Sequence, residues 1–196
     1  MKKFIIILFL IFITYIVYCQ HIGIRANKEL CEEERINNSL GLGIYINIDD
    51  FSEKIEAILS FDCYKLHKEY EDDDFQTYYG RKSIGLSFLY VIPIKEKLQF
   101  KTGLSTSYDM VNGSDGGIFT NWIHGYNAKF IGIEILLNLH LKNIFNFPLN
   151  FDLFITPDYL INIYNNDENK NSISKFYYDD NLKILQFQIG LTYKIK

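Results

Sequence analysis

The chain has 196 residues, 48% apolar and 22% charged, with 12 Gly, 3 Pro, 3 Cys, a net charge of −4, and aromatics at 16% (15 Tyr, 16 Phe, a single Trp). That length suits one domain, and the composition excludes a collagen, a disordered chain and a disulfide scaffold. The negative balance offers no field to draw phosphates, which excludes a basic nucleic-acid binder.

The first element is a targeting segment. Lys2 and Lys3 precede an apolar run from Phe4 to Tyr18, followed by Cys19, Gln20 and His21. Charge, a short apolar stretch and then a polar change read as a secretory signal peptide over residues 1–19. The run is shorter than the roughly 20 residues that a spanning helix needs. Lipidation at Cys19 is the minor alternative, disfavoured by the bulky Tyr18 before it. Losing Lys2 and Lys3 with the signal takes the net charge from −4 to −6. The remainder, residues 20–196, is expected to be exported and acidic, with Cys31 and Cys63 as its thiols. One disulfide between them is open in an oxidising compartment, and the sequence leaves it undecided.

From there the chain repeats one pattern, apolar residues at every second position, which is the period of a strand. Ile22 and Ile24 open a short instance, and Leu40 to Ile48 gives the next. Ile55 to Cys63, Ile84 to Ile94, Leu98 to Tyr108, Ile131 to Leu141 and Leu149 to Ile155 follow, and Leu185 to Lys196 closes the set. Eight strands and no amphipathic helix result. Their connections alternate in length. Long polar ones are expected at Asn27–Asn38, His67–Lys82, Asp109–Tyr126 and Asn165–Asn181, and short ones at Asp49–Lys54, Lys95–Lys97 and Lys142–Pro148. The fold class predicted is all-β, an eight-stranded antiparallel up-and-down barrel with both termini at the end that carries the short turns.

Which face looks inward separates a soluble carrier from a membrane barrel. Gly41, Gly43, Gly85, Gly103, Gly132 and Gly190 all fall on the polar phase. A solvated strand face has no use for them, whereas a narrow barrel interior does. The other phase is nearly free of charge, and an eleven-residue strand such as Ile131–Leu141, at about 3.3 Å per residue and tilted near 40°, rises roughly 28 Å, close to the apolar band of an outer membrane. Tyr64, Tyr90, Tyr108, Tyr126, Tyr159 and Tyr193 are expected in the interfacial girdles.

This signal, the eight alternating strands, the alternation of short and long connections and the closing Gly190-Leu191-Thr192-Tyr193 resemble the small porin-like outer-membrane β-barrel family of Gram-negative bacteria. The resemblance is one of pattern and covers Gln20 to Lys196. The final Ile195-Lys196 departs from the aromatic ending usual in that family. It implies a transmembrane barrel in the outer membrane, at the cell surface, in contact with lipid and lipopolysaccharide. It also implies a monomer inserted by the barrel assembly machinery.

Candidate chemistry is sparse. The inward phase is expected to carry Arg25, Glu56, Asp62, Lys101, Glu134, Asp152, Asp158 and Lys194. Charges in that low dielectric must pair, bind water or protonate, and a packed salt-bridge plug is the leading reading over a narrow cation path. His140 shares the phase. Glu32-Glu33-Glu34 and Glu69 to Asp74 are acidic loop segments without the ordered spacing of a calcium loop. Phe119 and Trp122, in a glycine-rich third loop, are candidate loop contacts. No nucleophile elbow, HExxH, P-loop or CxxC is present. Some outer-membrane acyl hydrolases place a Ser two residues after a His, and none of the four histidines here has one. The expectation is a non-enzymatic barrel without cofactor, metal or nucleic-acid partner, acting through acidic long loops as a structural or adhesion protein. The alternatives are a soluble lipocalin-like carrier of an apolar ligand and a narrow cation channel.

Overall fold

The computed structural model describes residues 21–31, 39–52, 54–69, 75–117, 120–144, 147–167 and 181–195. The expected signal peptide, Cys19 and the acidic stretches at 32–34 and 71–74 lie outside them. Eight strands follow one another: β1 (His21–Cys31), β2 (Leu40–Ser52), β3 (Ile55–Glu69), β4 (Phe75–Lys95), β5 (Leu98–Gly117), β6 (Thr120–Leu141), β7 (Leu149–Asp167) and β8 (Leu182–Lys194). Each pairs antiparallel with its neighbours in chain order, and β1 pairs β8, closing the barrel. Closure leaves no edge strand, so the backbone ladder satisfies itself without water. At the end that carries the short turns, Asn143 takes a positive φ of 50° and donates its backbone N–H to Asn150 Oδ1 at 3.0 Å. That side chain closes the β6–β7 turn.

The alternation expected of these strands sorts them inside out. Outward positions are apolar and exposed, with Leu42 at 72% and Leu104 at 65%. Inward positions are mostly polar and buried, among them Asn47, Ser87, Asn138, Gln188 and Thr192. The predicted glycines lie inward: Gly41, Gly85, Gly132 and Gly190 are buried, and Gly43 and Gly103 half-buried. Toward the far end, away from the termini, the outward apolar run is bounded by exposed Lys28, Lys82 and Lys183 and half-buried Lys129, whose Nζ lies 4.8 Å from the Tyr164 ring centroid.

Four features differ from, or add to, what the pattern implies. The strands run further than the apolar alternation does. Most of 67–82 and 109–126, read as loops, is paired strand: Tyr79 faces Leu66 and Gly113, and Ser114 faces Gly125. Backbone pairing needs no alternation of side-chain polarity, so a hydrogen-bond ladder can continue where the apolar period of the sequence ends. Second, Tyr64 is not in an outer girdle; it is buried and faces inward, whereas Tyr90, Tyr108, Tyr159 and Tyr193 are exposed outward. Third, the interior is not uniformly polar. Tyr45, Ile58, Leu89, Leu136 and Phe154 form one apolar cluster, and Tyr64, Val111, Ala128, Phe130, Leu160, Leu182 and Ile184 form a second. Fourth, Cys31 and Cys63 are not bridged: Cys63 is exposed, and half-buried Cys31 packs against the second cluster.

Candidate functional site

The charged side chains inside the barrel form tiers, each built across several strands. Nearest the termini, Asp152 of β7 gathers four partners. Tyr45 Oη of β2 donates to it at 2.8 Å, Thr192 Oγ1 of β8 at 2.6 Å and Asn138 Nδ2 of β6 at 3.1 Å. His140 Nδ1 lies 2.7 Å from the same carboxylate. In the next pairing, Lys101 Nζ of β5 meets Glu56 Oε2 of β3 at 2.5 Å.

The middle tier is a two-pronged pair between Arg25 of β1 and Asp62 of β3. Nε donates to Oδ1 at 2.8 Å and Nη2 meets Oδ2. Asn27 Nδ2 adds a bond to Oδ1 at 2.7 Å. The two partners sit on strands separated by β2, and Gly43 of β2 is what lets them meet, because a Cβ there would collide with the Asp62 carboxylate. Tyr45 uses the same device. Its ring lies over Gly23 of β1, where a Cβ would come within 2.5 Å of it, and its hydroxyl lies against Gly190 of β8. A ring laid over strand glycine covers backbone that would otherwise be bare. The Arg25 guanidinium then rests 5.6 Å from the Tyr45 centroid and 5.9 Å from that of Phe154.

The outermost tier centres on Arg81 of β4. It reaches Glu29 of β1 at 2.5 Å and Asp109 of β5 at 3.5 Å, and stacks 4.2 Å from the Tyr64 centroid. Ser39 donates to Glu29 at 2.6 Å and Ser107 to Asp109 at 2.6 Å. The second apolar cluster adjoins this tier through Tyr64.

Of the residues expected inside, Arg25, Glu56, Asp62, Lys101, Asp152 and Asp158 are buried there, and Glu134 is half-buried on the inward phase of β6. Lys194 is a correction. It pairs with His21 at the strand ends and is exposed, because the last residue of β8 reaches water rather than the interior. Trp122 lies on β6 and not in a loop, and Phe119 is outside the described residues. The sequence reading missed Glu29, Arg81 and Asp109. Their signal was present as phase: each continues the inward alternation of Arg25-Asn27, Ser83 and Ser107 by one step.

His140 with Asp152 is the one His–carboxylate pair among the described residues. Tyr45 and Thr192 both donate to the Asp152 carboxylate rather than to the imidazole, so His140 activates neither as a nucleophile. Among the described residues no three His, Cys, Asp or Glu side chains converge on one metal position.

No family model matches the chain, and no curated protein matches it in sequence. Solved structures do match its fold. Neisserial surface protein A superposes with a TM-score of 0.62 at 11% identity, covering 89% of this chain and 96% of that one. A major outer membrane protein from Thermus thermophilus gives 0.62 at 10% identity, over 89% and 98%. Ail, the attachment invasion locus protein of Yersinia pestis, gives 0.52 at 13% identity, over 90% and 97%. At such identities the shared property is the fold, that of the small eight-stranded outer-membrane β-barrels.

Proposed function

We propose that this protein is an integral outer-membrane barrel that catalyses no reaction and acts as a structural or adhesion protein through its far end. The observation that carries the reading is the inversion of its faces: a wall of exposed Ile, Leu and Phe around an interior of paired charges. In water such a wall is an aggregation hazard, and in lipid it is the surface the solvent requires. A lipocalin-like carrier needs the opposite arrangement, an apolar lumen inside a polar wall.

Interaction at the far end is supported by the β3–β4 and β5–β6 ribbons. They continue to Glu69, Phe75, Gly117 and Thr120, well beyond the outward lysines that bound the apolar run. Ail, which is named for attachment and invasion, shares the fold. The expected acidic loops, lipopolysaccharide contact, monomeric state and insertion by the assembly machinery belong to this proposal. Membrane fractionation tests it. The protein is expected in the outer-membrane fraction, extracted by detergent and migrating faster unheated than boiled. A compact monomer in the aqueous fraction overturns the reading.

A further inference from the structure

Interior charges are matched in pairs with one exception. Arg25 holds Asp62, Lys101 holds Glu56, Arg81 holds Glu29 and Asp109, and His140 lies on Asp152. Glu134 and Asp158 remain. They are direct register partners on β6 and β7, so both side chains leave the same face of adjacent strands, and neither has an ion pair among the described residues. Like charges placed directly opposite repel, and repulsion grows where water is excluded.

The surroundings supply oxygen. Asp158 is only 5% exposed; its Oδ2 accepts from Gln186 Nε2 at 3.3 Å, while its Oδ1 is buried without any hydrogen-bond partner. That free oxygen lies over Gly132, 3.1 Å from where a Cβ would stand, and Ser107 Oγ from β5 and one Leu160 methyl group from β7 approach the same point. Ser107 also lies within reach of Glu134. Its proton is donated to Asp109 at 2.6 Å, so toward any other partner its oxygen can act only as an acceptor. The cations that face this region are Arg25 from β1 and Arg81 from β4, both engaged with other carboxylates.

We infer that Glu134 and Asp158, with the Ser107 hydroxyl, form a binding site inside the barrel for one hard divalent cation of the Ca²⁺ or Mg²⁺ class. All donors are hard oxygens and none is nitrogen or sulfur, the chemistry that suits these ions, with water completing the sphere. An ion between the two carboxylates turns their repulsion into attraction and ties β6 to β7 through their side chains. Gly132 keeps its place because a Cβ there would collide with Ser107 Oγ and push that hydroxyl away from the two carboxylates.

The test uses the full barrel refolded in detergent and stripped with EDTA. Adding Ca²⁺ is expected to raise the unfolding temperature saturably, and Tb³⁺ is expected to bind with luminescence that Ca²⁺ displaces. Asp158→Asn and Glu134→Gln, both nearly isosteric, should each weaken Ca²⁺ binding about tenfold or more by removing a charged ligand. Replacing Glu32, Glu33 and Glu34 together with Gln should leave binding unchanged, which separates the interior from the acidic segment before β2. The inference is overturned if the folded wild type shows no saturable Ca²⁺ effect, or if either interior variant binds Ca²⁺ like the wild type. It is overturned equally if Glu134→Gln stabilises the barrel while Ca²⁺ does nothing, the outcome of a pair that shares a proton instead.

Discussion

Arg81 holds two carboxylates at once. It is buried between Glu29 and Asp109 over the Tyr64 ring, so its removal strands two carboxylates in a low dielectric. Breaking such a pair from one side costs about 3–5 kcal/mol. We expect Arg81→Ala to shift urea unfolding in detergent by that much, whereas Lys183→Ala on the exposed face should move it by less than about 0.5 kcal/mol. Gly43 is the complementary case, where absence of a side chain is the function. Gly43→Ala drives a methyl group into the Asp62 carboxylate and displaces it from Arg25, at an expected cost of about 1–3 kcal/mol. In a double-mutant cycle with Asp62→Ala much of that cost should vanish, since the small side chain vacates the position. Additive losses would show that Gly43 serves some other contact.

At the level of the strand, one period does two jobs. On β6 the outward residues Ile131, Ile133, Ile135, Leu137, Leu139 and Leu141 are all exposed, while Gly132, Leu136, Asn138 and His140 between them are buried. Ile135 lies near the middle of that run. Ile135→Arg sets a charge against hydrocarbon, at about 2–4 kcal/mol near the midplane. The fraction of heat-modifiable, folded band in vesicles should fall for Ile135→Arg and stay high for Ile135→Phe, which preserves the apolar face. Equal folding of both variants would contradict the assigned orientation of the sheet. On β7, Pro157 is exposed and lacks the N–H that a ladder uses, and pairing with β6 is interrupted between Glu134↔Asp158 and Leu137↔Ile155. The seam beside the proposed cation site is therefore the least hydrogen-bonded stretch of the β6–β7 pairing, where a side-chain tie contributes most.

Across the whole molecule, the interior tiers link strands that do not touch through their backbones. Arg25 joins β1 to β3, Arg81 joins β4 to β1, and Tyr45 with Asp152 joins β2 to β7. Apolar clusters lie among them. An ion crossing the bore would have to separate charges that no bulk solvent screens and pass the two clusters of largely apolar side chains. Planar-bilayer recordings of the purified barrel should show no steady ohmic conductance. Arg81→Ala should give brief flickering openings without a stable open level. Steady conductance from the wild type would make the channel alternative the better account.

The period along each strand and the lengths of the connections were enough to read the barrel, its strand count, the inward glycines and most of the interior charges. A period of two is local, and closure follows once each strand has one face for lipid and one for side chains. The strands' outer limits were not legible, since beyond the apolar band pairing persists without alternation; Glu29, Arg81 and Asp109 were hidden in segments that read as loops. Nor was Lys194 placed correctly, because phase says which face a residue takes and not how near it stands to the rim. Partnership is decided by tertiary structure alone. Asp62 meets Arg25 across a glycine on an intervening strand, and Glu134 is left facing Asp158, because strand tilt and register set which inward residues share a level, and neither quantity is written in any one strand.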